Sequence, residues 1–71
     1  MDLSITREYL AEAERHIALS NRHIARQVEI IEELGRSGCP IDLALDVLET
    51  YREVHAAHIA HRDRIRKELE Q

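Results

Sequence analysis

The chain has 71 residues, 34% of them charged and 44% apolar, and its ten Lys and Arg against fourteen Asp and Glu give a net charge of −4 with the histidines neutral. That acidic balance repels nucleic acid and anionic membrane, so DNA binding is not expected, and two Tyr with no Phe or Trp offer no stacking platform for single-stranded nucleic acid. A chain this short makes one domain at most, with a core that rarely holds more than roughly 3–5 kcal/mol without a disulfide, a metal or a partner chain.

The chain opens Met1-Asp2-Leu3-Ser4 rather than on a basic stretch followed by an apolar block, so neither a secretory signal nor a membrane span is expected. From Leu3 onward the pattern is helical. Leu3, Leu10, Ile17, Ile24 and Ile31 recur every seven residues, and Thr6, Ala13, Ser20, Gln27 and Leu34 follow three positions further on. That is a heptad seam held for more than four repeats. Its second position is small at Ala13 and Ser20, which lets an opposing helix approach closely. The first helix is predicted over about 3–37.

Gly35, Gly38 and Pro40 are the only Gly and Pro residues and they cut the chain nearly in half. Gly38 is the better left-handed cap, because it makes Leu34 and Cys39 the residues that close the turn, and Gly35 then lies inside the last helical turns. A turn at about 37–40 is followed by a second helix at about 40–70. Pro40 suits a first helical turn, and Asp42 can help satisfy the free N–H groups there. Ile41, Ala44, Val47, Leu48, Tyr51, Val54, His55, His58, Ile65 and Leu69 fall on one face at about 100° per residue. Asp42, Asp46, Glu49, Glu53, Asp63 and Lys67 fall on the other. The acidic start and the basic end (Arg62, Arg64, Arg66 and Lys67) both suit the helix dipole.

So short a connection forces the helices antiparallel, each running roughly 45 Å. The expected fold is an all-α two-helix hairpin. The first helix also carries Ile5, Leu19 and Ile30, flanked by His16 and His23, on a side the second helix cannot cover. A second copy related by a twofold axis, giving a four-helix bundle, is the simplest cover, with Ile5, Leu19, His23 and Ile30 at the interface.

Histidine is the one enriched residue of chemical interest, with five in the chain. His55, His58 and His61 follow an H-x-x-H-x-x-H spacing that sets successive rings about 60° apart around the helix. Folding the chain about residues 37 and 38 puts His16 level with His58 and His61, and brings His23 towards the level of His55. His55, His58 and His61, with His16 or Glu12 from the other helix, are therefore candidate ligands for Zn, Ni or Cu. The alternative is packing: a histidine at the edge of an apolar face is commonly half-buried, its ring nitrogens on a carboxylate, a carbonyl or water. The chain has no H-E-x-x-H and no E-x-x-H of the di-iron bundles. Ser4, Ser20, Ser37 and Cys39 sit on no strained elbow or Gly-rich loop, so no enzyme is expected. The lone Cys39 cannot close an internal disulfide, which fits the cytoplasm.

The runs Ala13-Glu14-Arg15-His16-Ile17-Ala18, Arg22-His23-Ile24-Ala25-Arg26-Gln27 and His61-Arg62-Asp63-Arg64 carry a resemblance over most of the chain. It resembles short uncharacterised bacterial proteins with an AERHIA/RHIxRQ/HRxRLxxEL pattern. The resemblance implies a small cytosolic helical protein and no catalytic residue. Together these readings favour a homo-oligomeric structural or protein-interaction module, with an unidentified protein partner on its charged faces. A histidine metal site is the first alternative and RNA contact through the basic C-terminal run the second.

Overall fold

A computed structural model describes residues 2–70 as two helices, α1 from Leu3 to Arg36 and α2 from Asp42 to Glu70, packed as an antiparallel hairpin. The Asp2 side chain accepts from the Ser4 N–H at 2.9 Å and so caps α1, with the Ser4 hydroxyl donating to the same carboxylate. These bonds favour the ionised form and hold the Asp2 carboxyl below its usual 3.8. At the other end Gly38 takes φ +74°. The Gly38 N–H then bonds to the Gly35 carbonyl at 3.2 Å and the Cys39 N–H to the Leu34 carbonyl at 2.9 Å, the paired bonds of a Schellman cap. Gly35 stays helical, as its spacing predicts.

α2 is predicted to begin at about Pro40, whereas its first helical residue is Asp42. The Ile41 carbonyl accepts from Leu45 at 2.9 Å, which makes Ile41 the N-cap and leaves Pro40 just outside. The difference is of the size by which helix ends ordinarily fray. Asp42 still sets a carboxylate against the positive end of the helix.

From Thr6 onward the heptad positions of the sequence are buried or half-buried. In α1 Ala13, Ser20 and Gln27 are buried, and Thr6, Leu10, Ile17, Ile24, Ile31 and Leu34 are half-buried. In α2 Leu48 and Ile65 are buried and Ala44, Val47, Tyr51, His55, His58, Ile59, Arg62 and Leu69 are half-buried, as is Ile41 just before it. With Leu3 and Ile41 at position a of a seven-residue repeat lettered a to g, the seam is a and d on both helices. Arg62 occupies a seam position that the apolar pattern does not reveal. It lies along the surface with its guanidinium on Asp63 at 3.0 Å, its stem covering the seam.

The hairpin measures 57 × 14 × 13 Å with a radius of gyration of 16.5 Å, where a compact domain of this length has about 11 Å. Its accessible surface is 5465 Å², against roughly 4,600 Å² for a compact monomer of its mass. Among the described residues no side chain falls below 2% exposure. One helix against one helix makes a seam and not a closed core.

Candidate functional site

Polar groups occupy the middle of the seam. Ser20 Oγ lies 2.5 Å from His55 Nδ1 and donates to the Ile17 carbonyl at 3.0 Å. These bonds are mutually consistent when His55 carries its proton on Nδ1 and donates to Ser20. One heptad along, Gln27 Nε2 donates to the Ala44 carbonyl at 2.8 Å. Both bonds cross from α1 to α2, so sliding one helix past the other would strand buried polar atoms.

The two sides of the seam differ in chemistry. On the e side Glu14 and Arg66 approach to 3.7 Å across the helices, a half-exposed pair of modest worth. On the g side α1 presents Tyr9, His16, His23 and Ile30, backed at position c by Ile5 and Leu19, and α2 presents Val47 and Val54. Tyr9 is 58% exposed, Ile5 51%, Leu19 48% and Val54 46%. His16, Leu19, Ser20, His23, Val54 and His58 line an open groove of about 320 Å³ there. A smaller recess of about 200 Å³, against Thr50 and Tyr51, shares Ser20, His23 and Val54 with it.

The candidate metal ligands His55, His58, His61 and His16 are only partly brought together. His16 and His58 stack with ring centroids 5.3 Å apart and planes tilted by 51°, and Glu12 Oε1 lies 3.8 Å from His16 Nε2. His55 turns into the seam onto Ser20, and His61 is exposed. His23 pairs with Tyr51, centroids 5.8 Å apart, rather than with His55. The reason is angular: steps of three residues turn His55, His58 and His61 by 60° each, from seam to seam edge to flank. Among the described residues no group of three or more metal-ligating side chains forms within the chain.

The candidate interface residues Ile5, Leu19 and His23 are exposed and Ile30 is half-buried, all on the g side. Tyr9 and Val54 belong with them. Tyr9 is one heptad before His16, a signal the sequence carries. Val54, expected on the packed face with Val47, stands clear of the seam because position g is about 60° beyond d.

Comparison with known proteins adds no assignment: no family model, no curated protein and no solved structure matches this chain.

Proposed function

We propose that this hairpin is the protomer of a homodimeric four-helix bundle, a non-catalytic structural or interaction module of the cytoplasm whose outer charged faces engage another protein. The observation that carries this reading is the apolar g flank, where Ile5, Tyr9, Leu19 and Val54 stand about half exposed and Leu19 and Val54 line an open groove. The surface excess points the same way. The hairpin exposes roughly 900 Å² more than a compact monomer of its mass, and a stable interface buries about 800 Å² per partner.

Sedimentation equilibrium tests this. The expected mass is twice the 8.3 kDa of the chain, with a melting temperature that falls on dilution because folding is linked to association. Leu19→Glu, which sets a charge at the middle of the flank, is expected to give the monomer mass. A monomer mass for the unaltered chain, with melting independent of concentration over two decades, would contradict the reading.

A further inference from the structure

Resting on the homodimer reading, we infer that the two copies pair antiparallel along α1 and so build a transition-metal site, in which His16 and His58 of one chain and His23 of the partner subunit hold the ion. Three observations carry this. The first is the His16–His58 pair. Two imidazoles bound tetrahedrally to one ion, at metal–nitrogen distances of about 2.0–2.1 Å, put their ring centres roughly 5 Å apart. The observed separation is 5.3 Å, at the wall of an open groove. Among the described residues the chain thus supplies two imidazoles, with the Glu12 carboxylate 3.8 Å from His16 Nε2, but no group of three that could hold a metal ion.

The second is the order of residues along the exposed stripe of α1. A twofold axis through the middle of the helix, between Leu19 and Ser20, sets Tyr9 against Ile30 of the other copy and Glu12 against Gln27 and its neighbour Arg26. It also sets His16 against His23 and brings the two Leu19 side chains together. Tyr9 meets Ile30 and histidine meets histidine, while Glu12 comes within one residue of Arg26, which in its own chain already pairs with Glu29 at 3.1 Å and Glu33 at 3.5 Å. A parallel copy would instead lay Glu12 on Glu12 and Arg26 on Arg26.

The third is the level of His23. His16 and His23 lie about 5 Å on either side of the midpoint of α1, and both line the same groove. The twofold axis exchanges those levels, so His23 of the partner subunit arrives at the height of the His16–His58 pair. Each dimer then holds two equivalent three-histidine sites with a fourth position open, a ligand set suited to zinc, nickel or copper.

Calorimetric titration of the full chain with zinc alone at pH 7.5 tests this, with sedimentation of the same samples. One ion per chain is expected. His23→Gln is expected to weaken binding by at least the roughly 10–100-fold that even an outer-shell change costs, although His23 lies two helical turns from His16 in its own chain. His16→Gln combined with His58→Gln should abolish binding. An equimolar mixture of these two defective chains, allowed to exchange subunits, should recover roughly a quarter of the unaltered capacity, because half the dimers are mixed and each holds one complete site. A dimer that binds no zinc, binding that survives His23→Gln, or a mixture with no recovery would overturn the site and leave the dimer standing. A chain that sediments as a monomer with and without zinc would overturn both.

Discussion

Ser20 and His55 meet where two hydrocarbon side chains would ordinarily be expected, and the cost of that choice is open to measurement. Ser20→Ala removes the only oxygen on His55 Nδ1 and leaves a part-buried ring nitrogen without a partner, at about 1–2 kcal/mol. Adding His55→Leu removes the stranded group as well, so the double variant should be more stable than Ser20→Ala alone. Urea titrations of the four members of that cycle give the coupling directly, and simple additivity would show that the bond contributes nothing. The two glycines make a second residue-level contrast. A Cβ at Gly35 meets nothing within 4 Å and the residue is helical, so Gly35→Ala should stabilise by about 1 kcal/mol. Gly38 also has open space around it, but its φ of +74° makes Gly38→Ala destabilising by a similar amount. Equal signs for the two would mean that the cap is not at Gly38. Asp2 supplies a pH signature. Its folded pKa is depressed below 3.8 by the bonds from Ser4, so its capping contribution is complete above that value and is lost as pH falls through the lower folded one. The Ser4 amide resonance should titrate with a midpoint under 3.8, and Asp2→Ala should abolish that titration.

At the scale of the helices, burial separates leucines that composition cannot. Leu48→Ala in the seam should cost about 2–4 kcal/mol, whereas Leu43→Ala, at a residue 77% exposed, should stay within about 0.5 kcal/mol. Similar losses in the two denaturation curves would mean that the faces of α2 are assigned wrongly. α1 was legible almost residue by residue because its apolar period of seven is unbroken from Leu10 to Ile31 and its cap has one glycine with the right neighbours. α2 was less so, for a physical reason: its seam includes His55, His58 and Arg62, which pack through the body of an imidazole or a long stem while keeping a polar end. Hydrophobicity therefore understates their burial and overstates that of Val54. The histidine candidates illustrate a related limit, since equal height along two helices does not by itself bring side chains together. Height is set by the register, which the Ser20–His55 and His16–His58 pairs bear out. Contact also needs the same angle around the helix, and of the four only His16 and His58 share it.

For the whole molecule, shape is the governing fact. A rod 57 Å long and 14 Å wide has nowhere to hide a third row of apolar side chains, and α1 carries one from Ile5 through Tyr9 and Leu19 to Ile30. Polar bonds in the seam fix how the two helices of one chain align, and the stripe is left for something outside it. On this account that something is a second copy, laid antiparallel so that His16 meets His23 and the groove closes on the histidines. The orientation has a ready reporter in Cys39, the only cysteine of the chain, exposed beside the turn at one end of the rod. A spin label on Cys39 and a pulsed dipolar distance measurement on the unaltered full chain decide the matter. The antiparallel dimer places the two labels at opposite ends, with a distance distribution centred near 50 Å, about the length of a 34-residue helix at 1.5 Å per residue. A distribution below roughly 25 Å, close to twice the width of one hairpin, or no dipolar modulation at all, would contradict it.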